Sequence, residues 1–258
     1  MGNKRILATL AAGGLALVAG AAQAGVTSTV TATNDYDFRG NSQSAKDPAL
    51  QASVDYAADS GWYVGAWASN IDFFEPDQDP KYELDLYSGF TGTTESGLGW
   101  DAGFVYYSYP QESDFSYAEI YGSLSYSWFK GKIWYSNAFG GDAAEAVSKS
   151  NTGSDDVAAW YVEGNATIPL PANFSVLLHA GYSTGDYWDN AFCNYDASGN
   201  PTACDDQIDY SAGVGYTLGK FNLALKYVDT DGDVVVKSDE FNNEGRVVFT
   251  IATTFPWK

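Results

Sequence analysis

The sequence predicts an all-β fold: an up-and-down antiparallel transmembrane β-barrel of about twelve strands, following a cleaved signal peptide. Three observations predict it. Segment after segment alternates apolar and polar residues with a period of two, and successive side chains of a strand point to opposite faces. The connections between these segments alternate long and short. Tryptophans gather beside the short ones.

Residues 1–24 read as the processing segment. Lys4 and Arg5 open it, Ile6 to Ala21 is apolar and small, and Ala22-Gln23-Ala24 is a cleavage site of the A-x-A type. Its removal takes the formal charge from −20 to −22, because it carries two cations and no acid. Residues 25–258 then form one barrel domain. No later window holds ~18 consecutive apolar residues, so no spanning helix is expected. The negative balance argues against nucleic acid as a partner.

The first alternating stretch runs from Val26 to Gln43. Val26, Ser28, Val30, Ala32, Asn34, Tyr36 and Phe38 share one face; Thr27, Thr29, Thr31, Thr33, Asp35, Asp37 and Arg39 share the other. Continued as a strand, this places Tyr36 and Phe38 in the outer interface band, and Gly40 releases the chain into an external loop. Further strands are expected at 48–59, 62–70, 81–91, 98–109, 115–129, 132–139, 156–168, 172–183, 207–218, 221–228 and 244–255. Short turns centre on 60, 95, 130, 170 and 219, the third at Lys130-Gly131. Long connections cover 40–47, 71–80, 110–114, 140–155, 184–206 and 229–243. Outer-membrane barrels segregate short periplasmic turns from longer outer loops in this way.

Trp62 and Trp100 follow short turns, Trp128 precedes one, and Trp257 lies near the C-terminus. They form the expected aromatic girdle at the periplasmic interface. The apolar faces need a cover, and no amphipathic helix is evident to supply one. Lipid covers them, and closure pairs every backbone group, as hydrocarbon demands.

The opposite faces then line a narrow, acidic lumen. Asp35, Asp37, Asp55, Glu83, Asp85, Asp101, Glu119, Glu163 and Asp209 are in phase, joined by Arg39, Lys226 and Arg246. Such a lining favours cations; read blandly, the same groups form a charge network that fills the lumen. Cys193 and Cys204 bracket one polar loop and are expected to form a disulfide. Asp229, Asp231, Asp233 and Glu240 partly match a calcium loop, but the required glycine is displaced to Gly232 and the flanks are strands, so a solvated acidic loop is the better reading. His179, the single histidine, has no serine spacing that singles out a hydrolase pair. No cofactor motif is present, and no enzymatic activity is expected.

Two stretches carry a family resemblance: NDYDFRGNSQSAKDPALQASVDY (Asn34–Tyr56) and GWYVGAWASNIDF (Gly61–Phe73). Here the chain resembles the TorF-like porins, a proteobacterial family of conserved hypothetical proteins. The resemblance implies a Gram-negative outer-membrane barrel and carries over no catalytic or binding residue. One departure from general barrel practice is the lysine in Phe255-Pro256-Trp257-Lys258, which follows the usual terminal aromatic. The expected function is a channel for small solutes or cations in outer-membrane lipid. The alternatives are a non-conducting structural or adhesive barrel with acidic loops that bind a partner or divalent ions, and a barrel enzyme acting on lipid. The sequence leaves the oligomeric state open.

Overall fold

The structure is a computed structural model that describes residues 25–73, 80–195, 201–231 and 243–257. The signal segment expected at 1–24 lies outside the described residues. Twelve strands make the wall: β1 Gly25–Thr33, β2 Ala49–Ala57, β3 Trp62–Asn70, β4 Tyr82–Thr93, β5 Gly99–Ser108 and β6 Tyr117–Tyr126, then β7 Phe129–Ser136, β8 Ala159–Pro169, β9 Phe174–Thr184, β10 Gln207–Leu218, β11 Phe221–Thr230 and β12 Arg246–Trp257. Each pairs antiparallel with the next, and β12 closes on β1 from Val26↔Trp257 to Thr33↔Thr250. Closure leaves no edge strand with unpaired backbone groups.

The connections segregate. Short turns at 58–61, 94–98, 127–128, 170–173 and 219–220 lie at one end, and the connections at the other end are longer. The outward face is apolar along every strand. Leu50, Ile120 and Val247 are each more than half exposed, and many other large apolar side chains along the strands are exposed as well. On a water-soluble protein so wide an apolar belt would aggregate; on a closed barrel it is the lipid surface. Trp62, Trp100 and Trp128 stand exposed at the short-turn end. Trp257 ends β12, and its side chain lies outside the described residues.

Three expectations change. First, β1 stops at Thr33, and Tyr36 and Phe38 turn into the barrel. Tyr36 is 3% exposed and packs at a tilt against Trp67, while Phe38 packs against Tyr107. They are not interface residues. Secondly, the third short turn is Ser127-Trp128, with Ser127 left-handed (φ 56), and not Lys130-Gly131. Lys130 pairs Ser125 and Gly131 pairs Leu124 within the ladder. A Lys-Gly pair has turn chemistry, but here Lys130 and Lys132 keep the inward phase of Trp134 and Ser136, whereas Phe129 and Ile133 face lipid. Thirdly, the 137–158 connection contains a helix, α1 (Gly141–Thr152), ended by left-handed Gly153. Its Ala/Glu/Lys-rich run between glycines is a helix signal that the loop-like composition hid. A short helix, α2 (Asp186–Asn190), precedes the Cys193–Cys204 disulfide, which joins a small hairpin.

Candidate pore constriction

The change at Thr33 creates the site. Asn34 ends the pairing with β12 by side-chain bonds: its Nδ2 donates to Val247 O (3.1 Å), and its Oδ1 accepts from Phe249 N (2.5 Å). The chain then folds inward as a hairpin in which Asp37–Phe38 pairs Asn41–Ser42. Its two-residue tip is Arg39-Gly40, both with positive φ (53° and 84°). That is the geometry of a type I′ turn, which matches strand twist and favours glycine at its second position. Ser42 Oγ donates to Asp35 (2.5 Å), and Ser44 Oγ accepts from Tyr36 N (2.9 Å), so short hydroxyl side chains replace the missing sheet partners.

The hairpin crosses the lumen. It leaves from β1, yet Arg39 reaches β6, β7 and β8 on the far wall. The Arg39 Nη2 donates to Glu119 Oε2 (2.5 Å). Its guanidinium stands 4.4 Å from the Tyr161 ring centre, 4.8 Å from Phe38 and 5.4 Å from Trp134. Gly40 seats against β10 and β11, where an added Cβ would lie 2.4 Å from Thr230 Cγ2 and 2.8 Å from Asp209 Cβ. Gln207 Nε2 donates to Arg39 O (2.8 Å) and accepts at Oε1 from Asn243 (3.1 Å). On the near side Arg246 grips the base of the hairpin: it pairs with Asp35, donates to Asp37 (2.6 Å) and donates to Gly40 O (2.8 Å). Two arginines thus pin one segment at both ends. Each buried ion pair is kept by its hydrogen bonds, because an unpaired buried charge is costly.

The periplasmic half of the lumen is built differently. Polar side chains project from the wall, and among the described residues no segment crosses it. Tyr87 donates to Asp55, and Tyr63 donates to Asp101 (2.7 Å). The Tyr63 hydroxyl lies where a Cβ on Gly89 would be, 2.3 Å from it, so the missing side chain makes room for the tyrosine along the wall. Lys132 Nζ sits 3.6 Å from the ring centres of both Tyr121 and Trp134. His179 joins Asp209 (2.6 Å), Asn165 (2.9 Å) and Tyr161 (3.1 Å). Glu163 accepts from Trp134 Nε1 (3.0 Å) and from Asn165 (2.8 Å). Asp55, Asp101, Glu163 and His179 are only partly buried.

The twelve charged residues expected in the lumen all lie inside the barrel. The structure gathers Asp35, Asp37 and Arg246 into one cluster, Arg39 and Glu119 into a second, and Glu163 and Asp209 around His179 into a third. Lys226 is buried on β11. Glu83 Oε2, Asp85 Oδ1 and Asp209 Oδ2 have no hydrogen-bond partner among the described residues. Lys132, Trp134 and the tyrosines Tyr63, Tyr87 and Tyr121 are lumenal residues the sequence reading missed. The phase of Lys132 with Trp134 and Ser136 was the available signal. Asp229 instead accepts from Tyr210 and Tyr227 on the exposed rim, and Asp231 caps Ile208 N (2.7 Å). Asp233 and Glu240 lie outside the described residues. No group of three acidic, histidine or cysteine side chains suited to a metal occurs among the described residues.

A family model described as a bacterial protein of unknown function (Gcw_chp) matches residues 18–255. The chain belongs to the Gcw_chp family. No curated protein sequence matches it. Among solved structures it is similar in fold to a KdgM porin in complex with disordered oligogalacturonate, at 7% identity and TM-score 0.50, over 90% of this chain and 99% of that one. A barrel from a study of in-meso crystallization of membrane proteins matches at 11% identity and TM-score 0.53, over 90% and 84%. Acinetobacter baumannii Omp33 matches at 8% identity and TM-score 0.45, over 91% and 98%. These likenesses concern the fold. With the closed twelve-strand wall and its apolar belt, this Gcw_chp protein is a Gram-negative outer-membrane β-barrel.

Proposed function

We propose that the protein is a narrow channel for small solutes or ions, with a cation-leaning lumen constricted by residues 34–48, and that it falls among the TorF-like porins. One observation carries the reading. Asp55 and Asp101 face the lumen, are only partly buried and form no ion pair among the described residues, while the lumenal arginines are already spent on Asp35, Asp37 and Glu119. Carboxylates without counter-charges in a low-dielectric wall hold a negative potential that concentrates cations. Twelve strands enclose more room than the side-chain-filled barrels of about eight, and less than the open channels of sixteen or more. The hairpin narrows that room further.

Recording from purified protein in planar bilayers under a potassium chloride gradient tests the proposal. Small discrete steps with a reversal potential on the cation side are expected. Anion preference would overturn the role of the acids.

The dense external half favours a second reading, a non-conducting barrel whose outer loops bind a partner or divalent ions. It predicts no steps from the wild type and none from Arg39→Ala. No enzymatic role is proposed: His179 points into the lumen toward Asp209 and Asn165, away from the lipid face.

A further inference from the structure

The external mouth holds a cavity of about 260 Å³ above the hairpin tip, and the charges of the lumen do not explain it. Its walls are aromatic, with Phe38, Phe73, Phe115, Tyr117, Phe139 and Trp188 among them. The rings brace one another: Phe73 meets Phe115 edge-on at 5.7 Å, and Phe139 meets Tyr187 edge-on at 4.8 Å. The α2 helix exists to bring Tyr187 and Trp188 to this cup.

The cup already demonstrates what it holds well. At its floor the Arg39 guanidinium lies 4.8 Å from the Phe38 ring centre and 5.4 Å from Phe139, its charge balanced by Glu119 beneath. Asp186 and Asp189 flank Tyr187 and Trp188 on α2, and Asp205 and Asp206 come just before β10. Partial burial, then the charges of Asp206, Asp186 and Asp205, raise the proton affinity of Asp189, which shows how closely these acids crowd.

We propose that this aromatic cup binds a small organic cation, an ammonium or guanidinium group on a compact apolar body. Three features select that class. Ring faces attract a desolvated cation. The α2 acids beside Tyr187 and Trp188 draw cations toward the mouth and repel carboxylates. A hydroxyl-rich sugar would lose hydrogen bonds against these mainly aromatic walls, whose polar groups are Arg39, Asn41, Gln43, the tyrosine hydroxyls and the Trp188 N–H. The volume falls below the roughly 300 Å³ at which drug-sized sites begin, so the ligand is compact. Binding at the mouth rests on the cation-leaning reading only for what happens to the ligand next.

The test uses the full chain in detergent and reads binding by titration calorimetry, with Trp188 fluorescence as a second signal. Choline is the probe. Its uncharged isostere, with carbon in place of the ammonium nitrogen, and benzoate are the comparisons. Choline should bind saturably, roughly tenfold tighter than the isostere, and more weakly as salt is raised. Phe192 lines the cup as well, and Phe115→Leu and Phe192→Leu should each weaken choline several-fold and leave the isostere unchanged. Equal binding of the isostere, tighter binding of benzoate, or no saturable choline binding would overturn the proposal. The wild-type comparison decides even if a variant fails to fold. A protein that conducts cations without binding choline loses this site alone; one that binds choline and never conducts loses the channel alone.

Discussion

The two halves of the lumen share one wall and differ in what fills them. The external half is closed by a segment of the chain itself, pinned by Arg39–Glu119 on the far side and by Arg246 with Asp35 and Asp37 on the near side. Among the described residues the periplasmic half holds wall side chains alone, the Tyr63–Asp101 and Tyr87–Asp55 pairs and the Lys132 cluster, while His179 bonds Asp209 and Tyr161 just beneath the hairpin tip. The difference teaches where each property resides. On the channel proposal, resistance to flow belongs to the outer half, where a polar plug is held by desolvated ion pairs. On the same proposal, charge preference belongs to the inner half, to the partly buried Asp55 and Asp101.

The comparison can be broken from the outer side first. Replacing residues 36–46 with a short Gly/Ser linker removes the inner hairpin and no residue of the twelve wall strands, so the barrel should still close. Single-channel steps should then grow several-fold. Arg39→Ala comes next. It leaves Glu119 buried without its partner, and removing one member of a buried pair costs about 3–5 kcal/mol. A lowered urea midpoint and larger or noisier steps are expected; a variant unchanged in both would show that the far-wall contact holds nothing.

Gly40→Ala probes the same plug without touching a charge. An alanine there is strained at φ 84° and collides with Thr230 and Asp209, and a forced left-handed residue costs about 1–3 kcal/mol. Loss of stability together with faster flicker of the steps should appear in thermal and bilayer measurements. The smallest stability effect is expected in the inner half. Asp101→Asn keeps an acceptor for Tyr63, so stability should stay within about 0.5 kcal/mol while the reversal potential moves toward non-selective.

Much of the wall was legible. Leu50, Val54 and Tyr56, alternating with Gln51, Ser53 and Asp55, have no other reasonable reading than a strand with one face in lipid, and the spacing of turns counted the strands. The site was less so. Nothing in the alternation of Asn34, Tyr36 and Phe38 announces that pairing stops at Thr33, because the stop is made by a tertiary bond, Asn34 to β12, more than two hundred residues away. The inward charges of Arg39 and Glu119 could be listed from phase, but their meeting needs the hairpin to cross the barrel. Arg39-Gly40 was itself a turn signal, read as the start of a loop when it is the tip of one. Lys132 was lost to the turn chemistry of its neighbours, and α1 to a composition that suits loops as well as helices.

One paired recording bears most directly on the division of the lumen: wild type and the 36–46 replacement, measured in the same bilayer under the same potassium chloride gradient. The division predicts small cation-preferring steps from the wild type, and larger steps with the same sign of preference from the replacement. Steps of equal size in the two proteins, or a preference that reverses when the hairpin is removed, would contradict it.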